Sequence, residues 1–267
     1  MGFLPALLYA LLMGAVPIIE VVASGRPPAA LLLLFWFETV LLVFTNAIRI
    51  VVHRRATGAA GHHATIGAVG DRRSGVEQTR RGLGAADAYL RSYLGINLLF
   101  TLAHGVFVLL LVFVVDFAGR LAWPDARLAL LYAAGVQGVF LAWDLRRLPG
   151  WRFRDLSTSV GNAGVRVLVT QLGLILGLPV AAATGSPWGL VATFVGLRAL
   201  ADASIAWLTG LLKQRDLPPG FAAILSARSG QSVASLEAEF DALKADGAAV
   251  EDLLDRPVDE SVRLPRS

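Results

Sequence analysis

The sequence predicts an all-α fold, a polytopic transmembrane bundle of six spans with both termini in the cytoplasm. Three observations carry that prediction. Of 267 residues, 55% are hydrophobic and only 16% charged, against roughly 25% charged in soluble domains. Six stretches are apolar and long enough to cross ~30 Å of hydrocarbon at 1.5 Å per residue. Arginines crowd into alternate connections between those stretches, the pattern that the positive-inside rule produces.

The spans fall at 3–22, 28–52, 88–117, 126–143, 160–183 and 187–212. Backbone groups find no water partners in lipid, and the alternating pattern of barrel strands is missing, so each span is expected to be a helix. The first stretch has no basic n-region and exceeds the roughly 7–15 apolar residues of a signal-peptide core. It is therefore read as a retained span, with Ala23-Ser24-Gly25 as the stretch where cleavage would otherwise fall. The second span, LLLLFWFETVLLVFTNAIRIVV, is the centre of the prediction because it carries a carboxylate, Glu38, inside a membrane-length apolar run.

Orientation follows from the connections. The second, 53–87, holds Arg54, Arg55, Arg72, Arg73, Arg80 and Arg81, with Arg91 just beyond, and the fourth holds Arg146, Arg147, Arg152 and Arg154. The first has Arg26, the third Arg120 and Arg127, and the fifth none. The even connections are thus assigned to the cytoplasm. The bundle is expected over 1–212, with 53–87 a mobile basic loop because it is rich in Gly, Ala and Arg. Its His62-His63 pair lacks a third ligand and reads as solvated loop residues.

Residues 213–267 form a charged, partly disordered tail after the breaker Leu217-Pro218-Pro219-Gly220. Within it Val233, Leu236, Phe240 and Leu243 share one helical face behind Ser232, predicting a short amphipathic helix near 232–245.

An ionisable group at the bilayer centre costs about 2.5–3.5 kcal/mol on insertion scales, so each needs a partner or a purpose. Counted from the helix ends, Glu38, His104 and Arg198 share a layer near the midplane, and Asn46, Asn97, Arg166 and Asp202 lie deeper towards the cytoplasm. Asn97, Thr101 and His104 fall at i, i+4, i+7, and Glu38, Thr45 and Arg49 at i, i+7, i+11, so each helix presents one polar stripe. Arg198 and Asp202, at i, i+4, can pair with each other or reach across to Glu38 and Arg166. The crossed arrangement is expected, because it leaves no charge alone in hydrocarbon. Gly173 and Gly177 form a small-xxx-small pair suited to close helix packing within the chain.

The stretches FWFETVLLVFTNAIRI, YLGINLLFTLAHGVFVLLLVF, NAGVRVLVTQLGLILGLPV and LRALADASIAWL resemble a family of bacterial and archaeal integral membrane proteins of unknown function. In that family an aromatic-Glu motif in an early helix accompanies a histidine-bearing helix and a basic-plus-Asp last helix. The resemblance spans about 31–212 and places Glu38, Asn46, His104, Arg166 and Asp202 at motif positions. Arg198 stands where a lysine is more usual, and the long loop and the acidic tail have no family counterpart. The resemblance implies a bundle and supplies no activity.

The absence of cysteine excludes disulfides, thiolate metal sites and cysteine catalysis. No phosphate-binding glycine loop, nucleophile elbow or HExxH motif is present. No cofactor or metal is expected, and no nucleic-acid partner. The expected surroundings are a bacterial-type inner membrane, with a second membrane protein or another copy of the chain as further partners. The polar cluster then has three readings. It ties helices together in a structural or assembly subunit, it binds or passes a small polar solute, lipid headgroup or proton, or it uses Glu38 and His104 as acid and base.

Overall fold

The computed structural model describes residues 19, 23, 25, 27–70, 85–114, 123–213, 232, 234, 235, 238, 252 and 254–258. The first predicted span, apart from Ile19, lies outside them. Every regular element among the described residues is helical: α1 (Ala29–Thr57), α2 (Ile66–Gly70), α3 (Ala88–Leu109), α4 (Trp123–Leu145), α5 (Phe153–Thr184) and α6 (Pro187–Lys213). A π-helical segment, Leu110–Val114, prolongs α3, and 3₁₀ turns occupy Ala60–His63 and Leu148–Gly150.

Three of these stretches, Ala29–Thr57, Ala88–Phe113 and Phe153–Thr184, are long and apolar enough to cross a membrane, and Leu130–Leu145 and Pro187–Ala201 are shorter apolar helices. Along their middles the exposed faces of these helices are apolar, whereas charged residues such as Arg55, Arg91, Arg154 and Asp155 are exposed near their ends. On α3 and its π-helical extension the exposed side chains include Leu99, Leu102, Val106 and Phe113, and on α5 Leu168, Ile175 and Leu176. Their buried residues include Glu38, Asn46, Arg49, Asn97, His104 and Asp144. Polar groups inside and apolar groups outside invert the usual arrangement in water, and together with helix length this points to a membrane environment.

The helix ends have local causes. α5 begins seven residues before the predicted span because the Asp155 carboxylate accepts the Arg152 N–H at 3.2 Å, satisfying a backbone donor at the N-terminus. It ends at Gly185, whose φ of 62° is left-handed, with the Ser186 N–H returning to the Ala181 carbonyl at 3.2 Å. Pro187 then opens α6. Pro has no N–H to lose at that position, so it fits a helix start.

The chain divides into two compact units, Met1–Thr57 with Leu90–Asp202, and Gly58–Tyr89 with Ala203–Ser267. In the first, α1 is the central helix. One apolar cluster joins its Leu31, Leu34 and Phe35 to Ala133 and Phe140 of α4 and Val191 and Phe194 of α6. Another joins its Ala29 and Leu32 to Val108 of α3, Leu174 of α5 and Leu190 of α6. A helix packed on both sides must bury its polar residues along with its apolar ones, and Glu38, Thr45, Asn46, Arg49 and His53 of α1 are all buried.

Glycines set the approach of α5 and α6. A Cβ at Gly173 would lie 2.7 Å from the Phe194 ring, and one at Gly177 would lie 3.1 Å from both the Leu190 Cα and its carbonyl oxygen. The small-xxx-small pair therefore packs within the chain, as expected for such motifs. Gly177→Leu is expected to lower stability by about 1–3 kcal/mol or more, since backbone must move to admit the side chain. Thermal unfolding of the detergent-solubilised protein would measure it.

The second unit contains the described part of the connection after α1. His62 is buried rather than solvated, its ring edge-on to Tyr89 at 6.3 Å between centroids. The Ala60 N–H donates to the Arg256 carbonyl at 2.9 Å and the Val258 N–H to the Gly58 carbonyl at 3.1 Å, forming a bridge between Ala59 and Pro257. The chain after α1 is thus backbone-paired to the tail, which composition alone did not indicate. Within the tail, Ser232 Oγ accepts the Ser235 N–H at 3.2 Å, the geometry of an N-cap. The rest of the predicted 232–245 helix lies outside the described residues except positions 234, 235 and 238, which are helical.

Candidate functional site

Glu38 and Arg198 meet inside the first unit. The Arg198 Nη1 donates to Glu38 Oε2 at 2.6 Å and Nη2 to Oε1 at 2.7 Å, a bidentate pair. The carboxylate side chain is 4% exposed and the guanidinium side chain 13%. Parallel two-point contact is the strong geometry for guanidinium and carboxylate, because both N–H bonds are charge-assisted.

Aromatic packing holds the arginine in place. Phe35, on the turn of α1 before Glu38, stacks on Phe194 with ring centroids 4.7 Å apart. The Arg198 guanidinium carbon lies 5.2 Å from the centre of the Phe35 ring, within cation–π reach. Phe194 precedes Arg198 by one helical turn and is itself the residue seated against Gly173. The close α5–α6 approach, the stacked pair and the ion pair therefore form one chain of contacts.

Arg166 of α5 lines the same small cavity as Glu38, Thr39, Leu42 and Arg198, with a volume of about 10 Å³. That is the room of about one water molecule. The expectation that Arg166 lies in a deeper layer is corrected here: its long side chain shares the layer of Glu38. Asp202, its expected partner, belongs to α6, but its side chain lies outside those described.

A second polar layer does exist: it keeps Asn46 and joins it to Arg49, Asp144 and Tyr93. Arg49 Nη2 lies 2.9 Å from Asp144 Oδ2, and both side chains are nearly fully buried, at 4% and 1% exposure. Arg49 Nη1 also donates to Asn46 Oδ1 at 2.6 Å, and Asn46 Nδ2 donates to the Tyr93 hydroxyl at 3.3 Å. The layer thus joins α1, α3 and α4, about eleven residues or ~16 Å along α1 from Glu38. Arg49 Nε has no hydrogen-bond partner among the described residues, and the Arg49–Asp144 contact is close in distance but off hydrogen-bond alignment at Oδ2. One helical turn beyond Arg49, His53 Nε2 lies 3.1 Å from the Trp151 carbonyl, which continues the polar face of α1.

A family model matches residues 2–219. The chain belongs to a family of unknown function, DUF6498. No curated protein and no solved structure matches it. The DUF6498 region contains both charged layers, so the ion pairs belong to the family's own part of the chain, whereas the Ala59–Pro257 bridge uses a tail segment beyond it.

The remaining expected residues of the DUF6498 region are buried without joining the cavity at Glu38. Asn97 donates to the Tyr93 carbonyl of its own helix at 2.9 Å, and His104 is 6% exposed on the same face of α3. Neither lines that cavity. On that face of α3 Trp36 instead meets the backbone, its indole N–H donating to the Thr101 carbonyl at 3.1 Å while the ring covers Gly105.

Proposed function

We propose that this chain is a six-span integral membrane protein, resident in a bacterial-type inner membrane with both termini cytoplasmic, whose buried polar cluster binds or passes a small polar solute, lipid headgroup or proton. The observation that carries the reading is the cavity at Glu38, lined by one acidic and two basic residues, Glu38, Arg166 and Arg198, from three helices. Ionisable groups at membrane depth are costly and by default indicate a ligand or proton path. Support also comes from α1, whose buried face carries polar side chains from Glu38 through Asn46 and Arg49 to His53. That is fifteen residues, or about 22 Å of helix, the greater part of a bilayer's hydrocarbon thickness. The lipid bilayer is the partner this reading requires.

Reconstitution into proteoliposomes tests it. Proton or solute flux is expected in the unaltered chain and is expected to fall to background in Glu38→Gln, while assembly and monodispersity stay near those of the unaltered chain. Native mass spectrometry from a gentle detergent would identify a retained solute or lipid. An unaltered chain that carries no flux and retains no small mass would remove this reading in favour of an assembly role.

A further inference from the structure

The Glu38 cavity allows the ligand class to be narrowed, an inference that rests on the binding reading above. We propose that Arg198, with Arg166 beside it, is a binding site for a small oxyanion, a carboxylate or phosphate group, and that the Glu38 carboxylate is its resident competitor.

The two contacts at 2.6 and 2.7 Å use both terminal nitrogens of Arg198 on the two oxygens of one carboxylate. A guanidinium offers that same fork to any carboxylate or phosphate group, which is why arginine rather than lysine serves planar two-point recognition. Glu38 thus occupies the position that an external oxyanion would take. The fork does not depend on Glu38 for its placement. Phe35 lies under it, Phe194 stacks on Phe35, and Gly173 sets the position of Phe194. An arginine held from its other face stays preorganised when the carboxylate leaves.

Space and charge both require exchange rather than addition. The cavity of about 10 Å³ admits a water but no anion while Glu38 is in place. Among its lining residues, the charged groups are Glu38 from α1, Arg166 from α5 and Arg198 from α6, two cations to one anion. The Asp202 side chain on α6 lies outside the described residues and does not enter this count. An anion that takes the place of the Glu38 carboxylate on the fork puts one negative charge where another was, so the charge facing the two arginines is unchanged. Exchange then adds no net charge beside them in the low-dielectric interior. A purely structural tie would have no such competition.

The test uses the full chain in phosphatidylcholine nanodiscs, titrated with acetate and with inorganic phosphate against chloride at constant ionic strength. The readouts are the unfolding midpoint and equilibrium dialysis of labelled phosphate. Glu38→Gln removes the competing charge, so its neutral side chain gives up the Arg198 fork to an anion more readily than the carboxylate does, and affinity for these anions is expected to rise roughly tenfold or more over the unaltered chain. Arg198→Gln is expected to abolish saturable binding. Glu38→Ala provides a second route, since it vacates a carboxylate-sized space, and formate or acetate is expected to raise its unfolding midpoint. Nanodiscs containing phosphatidic acid separate the sources. Stabilisation by that lipid alone assigns the site to a headgroup, and stabilisation by acetate or phosphate assigns it to a free anion. No saturable response to acetate, formate, phosphate or phosphatidic acid in either Glu38 variant overturns the proposal. Proton flux without anion binding would also overturn it while leaving transport intact, whereas anion binding without flux would support it and remove transport.

Discussion

Replacing Arg198 by methionine is expected to cost about 3–5 kcal/mol of stability, because it leaves the Glu38 carboxylate buried without its bidentate partner. Adding Glu38→Gln to the same chain is expected to restore most of that loss. The asymmetry is physical: the penalty comes from an uncompensated charge in low dielectric, and it disappears when the charge does. Glu38→Gln alone should be milder than Arg198→Met, since a neutral amide can still accept from the guanidinium. The arginine also keeps its contact with the Phe35 ring in that variant. Thermal unfolding of the four chains in one detergent forms a double-mutant cycle, and additivity of the two single changes would show that the pair is not coupled.

The pairing of Glu38 with Arg198 could be read from the chain because both lie at similar depth in long apolar helices, where a lone charge has few alternatives. The helix positions were legible for the same reason: apolar runs at 28–52, 88–117, 126–143, 160–183 and 187–212 overlap α1, α3, α4, α5 and α6 closely. Two features escaped depth counting. Arg166 was placed a layer too deep because counting locates Cα atoms, whereas an arginine head can lie several ångströms from its own Cα along the helix. Asp144 was passed over because it lies beside Arg146 and Arg147 at the end of a span, where a carboxylate looks like a headgroup-level residue. A signal was nevertheless present. Gln137 and Asp144 stand at i, i+7, and both are buried on the α4 face that also buries Ala133 and Phe140. The burial of His62 and the bridge between Ala59 and Pro257 had no such signal. The bridge depends on the tail pairing with a segment nearly two hundred residues away in sequence, and nothing in local periodicity encodes that.

Asp144→Leu is expected to be as damaging as the loss of Arg198, again by about 3–5 kcal/mol, because Arg49 would keep its charge at 4% exposure with, among the described residues, Asn46 as its remaining side-chain partner. Arg49 is tied from two sides, by Asp144 across to α4 and by Asn46 on its own helix. Removing the second tie should therefore cost much less than removing the first. Tyr93→Phe, which deletes only the hydroxyl at 3.3 Å from Asn46, is expected to cost about 1 kcal/mol. The rescue separates charge from shape. Arg49→Met in the Asp144→Leu background removes the buried cation and is expected to recover most of the stability, while Arg49→Lys is not, since the ammonium remains charged and offers Asn46 a single donor point in place of the guanidinium. Unfolding midpoints of these variants decide the matter. If Asp144→Leu were as stable as the unaltered chain, Arg49 would have to satisfy its charge elsewhere, and α1 and α4 would be held by their apolar contacts alone.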